Sequence, residues 1–315
     1  MEIYSGVSDQ LPAFRASVVT VGNFDGLHLG HQKLIQTLKE EGKRWGVPTV
    51  VFTFDPHPLE VLAPELNHQR LFPREDLGEQ LNILGMDYLI IEPFSKKFSQ
   101  TSAQKFLEDY ILKPLHPKAL VVGHDFAFGA DRSGSQETLK SFCMSNGISL
   151  MVLDPIQEAS GIVSSSKIRQ SIRLGKIREA QELLGRPYYV VGVVARGAGR
   201  GKSIGLPTVN LQLQSFILPA PGVYITEVYW DGVWNPAVSN IGCNPTFHNS
   251  SDEPQYTFET HILSFQKDLY GESLKVRFRD WLRNEIRFKS AQELISQIHK
   301  DIELAKSFFS QKESE

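Results

Sequence analysis

The sequence predicts an α/β domain with a parallel sheet, followed by a small antiparallel β-barrel with a terminal helix. Three observations support this fold class. The first half alternates short β-branched strands with amphipathic helices, the second half has short strands without helices between them, and the pattern changes near residue 185. The length of 315 residues also fits two domains, since a domain takes roughly 150 residues. We therefore predict domains 1–185 and 186–315.

Five segments of the first half are short, apolar and rich in β-branched residues, with little polar alternation. This pattern is typical of parallel strands that are covered on both faces. The predicted strands are 17–22, 48–54, 87–92, 119–123 and 148–153. Apolar residues with helical spacing run from His31 to Leu38, and Thr101 with Gln104 has the form of a capping box for a later helix. This alternation predicts a doubly wound sheet.

The second half contains six further strand segments, separated by Gly, Pro, Asn and Asp. They are 188–195, 206–212, 222–230, 233–241, 255–263 and 273–278. The stretch "YWDGVW" (229–234) has the composition of a hairpin turn. Six short strands without helices indicate a small antiparallel barrel. Ser290 and Glu293 then form a capping box, and an apolar stripe from Leu294 to Ala305 predicts the terminal helix.

Composition excludes several classes of protein. Hydrophobic residues make up 41% and charged residues 22% of the chain, an ordinary globular balance. The formal net charge of −3 provides no overall attraction to nucleic acid or to an anionic membrane. Cys143 and Cys243 are the only cysteines, which excludes a disulfide framework and a Cys-rich zinc site. We expect a cytoplasmic protein without a signal peptide or a membrane span.

The stretch "GNFDGLHLGH" (22–31) joins the end of the first predicted strand to the start of a helix. Ligands bind at this edge of open α/β sheets, and the free N–H groups of a helix N-terminus attract phosphate. Its glycines let the backbone approach a ligand closely, and His28 and His31 can donate hydrogen bonds to phosphate oxygens. The alternatives are a zinc site, for which no third ligand stands at a supporting spacing, or ordinary surface histidines.

Three later segments offer groups of the same kind. Ser164–Ser166 can cap a helix and offer hydroxyls, and Arg169 offers a bidentate cation to phosphate. The alternative for the serines is a helix cap alone. "TFDPHP" (53–58) contains two prolines that force a turn, and it could be only a turn. Asp125 could merely stabilise its own loop.

The stretch "ARGAGRGKSIGLPTVNL" (195–211) ends like a phosphate-binding P-loop but does not fit that motif. Arg196 occupies the position of the first glycine, and Gly205 and Pro207 prevent the helix that should follow. A Gly-rich loop between two strands can still hold phosphates through successive N–H groups, with Arg200 and Lys202 adding positive charge. The alternative is a flexible basic loop.

Thr208 and Asn210 follow this loop and lie two residues apart, so both side chains point to one face of a strand. One hydroxyl and one carboxamide oxygen are ligands that suit a hard cation such as Mg²⁺.

Taken together, these segments resemble the bacterial bifunctional riboflavin kinase/FAD synthetase family. The first half resembles a class I nucleotidyltransferase. Its motifs are matched in order by "GNFDGLHLGH", "TFDPHP", "VVGHDFAFGADRSG" and "VSSSKIRQSI". The second half resembles riboflavin kinase. The segments that carry this resemblance are the Gly-rich loop with "PTVN", followed in order by "GVY", "SNIGCNPTF", "ETHIL", "DLYGE" and "WLRNEIRFKS". The resemblance covers nearly all of 15–307. Ser166 and Val209 depart from the usual Thr and Ala without removing a ligand or a base.

The resemblance implies a Rossmann-like nucleotidyltransferase domain and a riboflavin kinase barrel. Riboflavin and ATP would give FMN, and FMN and a second ATP would give FAD and pyrophosphate, with Mg²⁺ as the cofactor. It implies catalytic roles for His28, His31, Arg169 and Glu259, the last as the general base of the kinase. The implied nucleotide-binding residues are Gly22, Asn23, Phe24, Asp25, Gly30, Asp125, Ser164, Ser165, Ser166, Gly197, Gly199, Arg200, Gly201 and Lys202. Asp55, His57, Asn244 and Arg283 are the implied flavin-binding residues, and Thr208 and Asn210 the metal ligands.

Two other interpretations remain at this point. The chain could be a nucleotidyltransferase for another small phosphate, with the barrel as a regulatory module, but such a module needs no set like Thr208, Asn210 and Glu259. It could also bind nucleic acid with the barrel, as an OB-fold does. That interpretation needs a basic face with exposed aromatic residues. The loop "RGAGRGK" offers a little basic charge, but the net charge of −3 and the absence of aromatic residues in this loop weaken the interpretation. Glu259 itself could be a barrel-rim charge, and Arg283 a solvated one.

Overall fold

A computed structural model describes residues 1–196, 205–213, 217–244, 255–265 and 267–312 of the chain. The chain divides into two compact units, Met1–Ser165 and Ser166–Glu315. Among the residues described, none of the helices has the length and apolar character that crossing a membrane requires.

The first unit is built on a six-stranded sheet. Its strands are β1 (Glu2–Tyr4), β2 (Ser17–Val21), β3 (Thr49–Asp55), β4 (Tyr88–Pro93), β5 (Pro117–Gly123) and β6 (Ser149–Leu153). All are parallel, in the order β1-β4-β3-β2-β5-β6. The last five confirm the predicted strands, whereas β1 was not predicted because three residues carry too short a pattern. A separate hairpin consists of β7 (Gln157–Glu158) and β8 (Gly161–Ile162).

Helices connect these strands and cover both faces of the sheet. They are α1 (Leu29–Trp45), α2 (Pro58–Leu62), α3 (Arg74–Ile83), α4 (Lys96–Ser99), α5 (Ala103–Phe106), α6 (Lys113–Leu115) and α7 (Gln136–Ser145). A π-helical segment, Leu107–Leu112, joins α5 to α6. The predicted capping box at Thr101 is wrong, because the Ser102 side chain accepts the hydrogen bond from Lys105 N at 3.3 Å and caps α5.

Alternate residues of the central strands enter two separate cores. Val19 and Val21 of β2 pack in one core, and Val18 packs in the other. The same division holds on β5, where Leu120 and Val121 lie in opposite cores. Because side chains alternate between the faces of a strand, this arrangement explains the continuous apolar runs of the sequence and confirms the doubly wound sheet.

The second unit begins with two helices and continues as a closed barrel. Its elements are α8 (Ser165–Arg173), α9 (Ile177–Leu184), β9 (Tyr189–Ala195), β10 (Val209–Leu213), β11 (Gly222–Trp230), β12 (Val233–Asn244), β13 (Gln255–Ile262), β14 (Ser273–Arg283) and α10 (Ala291–Lys312). The barrel is antiparallel, in the order β10-β13-β12-β11-β14-β9. This confirms the predicted six-stranded barrel. At its hairpin, Asp231 and Gly232 have φ of 50° and 79°, as a type I′ turn requires.

The terminal helix α10 packs on the outside of the barrel. Ile302 and Ala305 form a buried cluster with Val223 and Ile225 of β11 and with Val238 of β12. The predicted capping groups also meet. Their contacts run from Glu293 N to Ser290 Oγ at 3.2 Å and from Lys289 N to Glu293 Oε2 at 2.9 Å. The apolar stripe of the helix and its N-terminal signal were therefore both predicted from the sequence.

Helix α9 belongs to the second unit through its contacts with β14. Its residues Ile177, Ala180, Leu183 and Leu184 are all buried. Gln181 donates to the backbone oxygen of Arg279 at 2.9 Å, and Arg178 makes a bidentate ion pair with Asp280. The contact boundary thus lies at 165/166, about 20 residues before the predicted domain boundary. The division 1–185 and 186–315 stays a prediction about activity.

Candidate active sites

The loop between β2 and α1 lies at the carboxyl edge of the parallel sheet. Strands β3 and β5 flank β2 on its two sides, so the loop stands where the strand order reverses, a usual ligand site. Its backbone has positive φ at Phe24 (50°), Gly26 (82°) and Leu27 (41°), and the Phe24 and Leu27 side chains are buried. Asp25 Oδ1 accepts from Leu71 N at 3.0 Å. Burial and this contact hold a strained loop in place.

The two histidines of this loop lie against each other. Their rings stack with centroids 3.7 Å apart, and His28 Nδ1, at the N-cap of α1, accepts from His31 N at 3.4 Å. A Cβ atom on Gly30 would lie 3.1 Å from the His28 ring, so a glycine lets that ring lie close to the backbone. The structure therefore brings together the two predicted phosphate-binding imidazoles.

Burial keeps His31 uncharged. Desolvation of its ring, together with the neighbouring His28, holds the pKa of His31 well below the usual 6.5. Its Nδ1 is buried and has no hydrogen-bond partner among the described residues. A neutral imidazole still has one N–H to donate, so the proposed contact to phosphate does not require protonation.

The other predicted nucleotide-binding residues of the first half are distributed as follows. Ser165 Oγ donates to the backbone oxygen of Asp25 at 2.9 Å and so braces the histidine loop. Asp125 is exposed just after β5. Ser166 and Arg169 lie on α8. The carboxylate of Glu179 on α9 contacts two side chains of this helix. The Glu179 carboxylate accepts from Ser171 Oγ at 3.0 Å and lies 3.0 Å from Lys167 Nζ and 3.5 Å from Lys176 Nζ.

A cleft opens beside the histidine loop, at the ends of β3 and β4. Both predicted flavin-binding residues of the first half, Asp55 and His57, line it. Its other lining residues come from the histidine loop, the strand ends and the start of α3: Asn23, Phe24, Asp25, Gly26, Leu27, Thr53, Phe54, Arg70, Phe72, Pro73, Arg74, Asp76, Leu77 and Ile91. Apolar walls with a few charged groups are typical of a small-molecule site.

Two arginines that the sequence analysis missed form the charged part of this cleft. Arg70 lies 2.6 Å from Asp55 Oδ1 and 2.6 Å from Glu60 Oε1, and Arg74 lies 2.7 Å from Asp55 Oδ2. These carboxylates raise the pKa of Arg70 against the opposing effect of burial. The stretch "QRLFPRED" (69–76), with two arginines around Phe-Pro ahead of a helix, is the signal that could have revealed them.

In the barrel, the strand register brings Asn210 and Glu259 together. Asn210 of β10 lies directly opposite Glu259 of β13. The neighbours of Glu259 along its strand, Phe258 and Thr260, are buried inside the barrel, so Glu259 and Asn210 point to its outer face. Thr208 precedes β10 by one residue and has the same parity as Asn210. His261 also lies on this face, with its Nδ1 2.8 Å from the backbone oxygen of Pro207.

Several predicted residues of the second half lie outside what the structure describes. They are the residues of the Gly-rich loop, Gly197, Gly199, Arg200, Gly201 and Lys202, together with the side chain of Asn244.

Arg283 is placed, and its guanidinium binds the buried carboxylate of Asp301 on α10. Arg283 Nη2 lies 2.8 Å from Asp301 Oδ2. This contact connects β14 to the terminal helix, and the flavin contact of Arg283 stays a prediction.

The three predicted residues of the barrel face, Thr208, Asn210 and Glu259, all offer an oxygen atom as a metal ligand. Within the described ranges, no group of three or more His, Cys, Asp and Glu side chains is arranged to hold a metal ion. A hydroxyl at Thr208, a carboxamide at Asn210 and a carboxylate at Glu259 are all hard donors, the type that Mg²⁺ accepts.

Comparison with known proteins identifies the family. An FAD synthetase family model matches residues 11–167, and a riboflavin kinase model matches residues 184–309. The bifunctional riboflavin kinase/FMN adenylyltransferase of Escherichia coli strain K12 is 37% identical over 293 residues, which cover 93% of this chain and 92% of that protein. The chain belongs to this bifunctional family. The Bacillus subtilis strain 168 member is 36% identical, with 93% of each chain covered.

Membership of the riboflavin kinase/FMN adenylyltransferase family makes the chain a bifunctional transferase. Its substrates are riboflavin, FMN and ATP. Among solved structures, a Streptococcus pneumoniae protein described as a macrolide-efflux protein has the same fold. It superposes with a TM-score of 0.87 and 32% identity, covering 97% of this chain and 98% of that one. Both family models that match this chain are those of flavin enzymes.

Proposed function

We propose that residues 1–185 perform adenylyl transfer and residues 186–315 perform riboflavin phosphorylation, each with its own set of side chains. The observation that carries this proposal is that the histidine pair and the Asn210–Glu259 pair lie in different units of the chain. The stacked His28–His31 pair and the adjoining cleft lie in the first unit, and the Asn210–Glu259 pair lies on the barrel.

In adenylyl transfer, an oxygen of the FMN phosphate attacks the α-phosphorus of ATP. The bond from that phosphorus to the bridging oxygen breaks, and pyrophosphate leaves. No nucleophilic side chain is required, so the protein contributes orientation and charge stabilisation. His28 and His31 donate N–H groups to phosphate oxygens, and Arg169 supplies a fixed positive charge. FMN occupies the cleft lined by Asp55 and His57.

In the kinase reaction, Glu259 accepts the proton of the ribityl 5′-hydroxyl as that oxygen attacks the γ-phosphorus of ATP, and ADP leaves. Thr208 and Asn210 are the residues that would hold Mg²⁺, since their oxygens share one face of the barrel with the Glu259 carboxylate. The ion would neutralise charge on the phosphates. The Gly-rich loop 197–202 would bind those phosphates through its N–H groups.

We also propose a cytoplasmic location. Two cysteines separated by 100 residues fit a reducing compartment, where no disulfide framework is needed.

The test is a chromatographic assay of riboflavin, FMN and FAD over time with ATP and Mg²⁺. We expect FMN to appear first and FAD second. His28→Ala and Arg169→Ala should abolish FAD formation while FMN formation continues, and Glu259→Ala should stop FMN formation while added FMN is still converted. Loss of both activities in every variant, with the fold intact, would contradict the two-site proposal.

A further inference from the structure

The polar row that includes Asn210 and Glu259 extends one strand further. Glu259 has two cross-strand neighbours, Asn210 on β10 and Asn240 on β12. Directly opposite residues of antiparallel strands point to the same face, with Cβ atoms about 4.5–5.5 Å apart. Asn240 therefore lies beside Glu259 on the side opposite to Asn210. Asn240 lies in the stretch "SNIGCNPTF" (239–247), which resembles a riboflavin kinase motif.

Burial along β12 shows which way Asn240 points. Its strand neighbours Ser239 and Ile241 are fully buried inside the barrel. Ser239 there bonds the hydroxyls of Thr226 and Thr260 at 2.7 and 2.8 Å. Because side chains alternate along a strand, Asn240 projects from the outer face, where it is half-buried. Its carboxamide is thus on the reaction side of the sheet.

Polar side chains lie close to Asn240 on the Glu259 side, whereas its partner on β11 is the buried Val223. The next outward position on β12 is Gly242, where a Cβ atom would lie 2.6 Å from Thr257 Oγ1, 3.2 Å from Glu285 Oε1 and 3.6 Å from Asn240 Nδ2. Among the described residues, neither the Asn240 carboxamide nor the Glu259 carboxylate makes a side-chain hydrogen bond. An amide that faces a carboxylate across a strand pair, with no other partner, is suited to donate to it.

We infer that Asn240 is a positioning residue for the kinase reaction. Its amide N–H donates to the Glu259 carboxylate and directs the other carboxylate oxygen towards the hydroxyl that loses its proton. Asn210 occupies the opposite side of Glu259, so the carboxylate is held between two carboxamides of neighbouring strands. This inference rests on the proposed role of Glu259 as the base. It predicts an effect on turnover rather than on substrate binding.

The test uses the full chain with the substitutions Asn240→Asp and Asn240→Ala. Asp has the shape of Asn but lacks the N–H donor and adds a negative charge beside Glu259, whereas Ala removes the donor without adding charge, so the Ala variant tests the donor alone. We expect the kinase kcat to fall about tenfold or more in both variants, with the KM for riboflavin and for ATP within about twofold of wild type. The melting temperature and the conversion of added FMN to FAD should not change. Gln212→Ala, an exposed carboxamide elsewhere on β10, is the matched control and should keep the full rate.

A double-mutant cycle separates action through Glu259 from any other effect. In a Glu259→Gln background, Asn240→Ala should cause no further loss of the residual kinase rate. A kcat within twofold of wild type in both Asn240 variants would overturn the inference, and so would full additivity in the cycle. If Glu259→Gln keeps the wild-type kinase rate, both the proposed role of Glu259 as the base and this inference are overturned. If Glu259→Gln is inactive while both Asn240 variants are fully active, only the inference about Asn240 is overturned.

Discussion

Among the single residues, His31 shows how burial sets the chemistry of the adenylyl-transfer site. Its ring lies between the stacked His28 ring and the edge of Phe24, whose centroid is 5.3 Å away. This packing removes water from the imidazole and holds its pKa well below 6.5. The ring is therefore a neutral donor in a preorganised position, which costs no reorganisation when phosphate charge develops.

The low pKa of His31 has a consequence for stability. The unfolded chain binds a proton at His31 below pH ~6.5, and the folded chain does not, so the free energy of unfolding falls as pH decreases through this range. The contribution is at most about 1.4 kcal/mol per pH unit. We expect His31→Gln to have a shallower loss of stability between pH 7 and pH 5 in chemical denaturation.

His299→Gln, which removes an exposed histidine on α10, is the control for this measurement and should keep the wild-type slope. The same slope for His31→Gln and wild type would contradict a buried, neutral His31.

At the scale of elements, the segment from α2 to Arg70 is held by polar contacts instead of a core. Helix α2 buries none of its residues, and Leu59, Leu62 and Leu66 are 40%, 54% and 65% exposed. Two kinds of contact stabilise the segment. The rings of His57 and His68 stack with their centroids 4.0 Å apart, and Arg70 forms ion pairs with Asp55 and Glu60. One guanidinium therefore joins this segment to the end of β3.

Arg70→Ala should loosen this segment. The substitution leaves the Asp55 and Glu60 carboxylates, each about one-quarter exposed, without their shared cation. We expect a loss of about 1–3 kcal/mol in urea unfolding, faster proteolysis within 56–70, and a higher KM for FMN in adenylyl transfer.

Arg74→Ala is the matched comparison, because Arg74 is 58% exposed and Asp55 keeps Arg70 in that variant. Its cost should stay below about 1 kcal/mol. Equal effects of the two substitutions would show that Arg70 has no special role in holding the segment.

At the scale of the whole molecule, the two helices between the sheet and the barrel belong with the barrel. Helix α9 buries four apolar side chains and contacts β14 through Arg178 and Gln181. Helix α8, which carries Arg169, is linked to α9 through Glu179. The element with the proposed adenylyl-transfer arginine is thus built into the unit that contains the kinase barrel.

Fragment stability provides a test of this assignment. Burying a Leu or Ile side chain contributes about 1.5–3 kcal/mol, so a fragment 186–315 that lacks α9 should unfold at a lower urea concentration than a fragment 166–315. Riboflavin phosphorylation by both fragments, measured below the unfolding transition, tests the proposed kinase domain 186–315. Equal urea midpoints would show that α9 adds nothing to the barrel.

The sequence by itself predicted most of the strands, the barrel and the edge of the sheet at which the family motifs lie. Continuous β-branched runs predicted five of the six parallel strands, and short strands between Gly, Pro, Asn and Asp predicted the barrel, because these signals are local and periodic. The family motifs follow predicted strands, so their residues were expected at the carboxyl edge of the sheet, where the structure has the His28 loop and Asp55.

Only the tertiary structure decided which side chains meet. The contacts of Arg70 with Asp55 and of Arg283 with Asp301, and the cross-strand pairing of Asn240 with Glu259, join residues 15 to 19 positions apart in sequence. The pairing of β12 with β13 selects Asn240, and a shift of one residue would turn that side chain into the barrel. No local pattern encodes such pairings, because they depend on strand register and on how helices pack across distant segments.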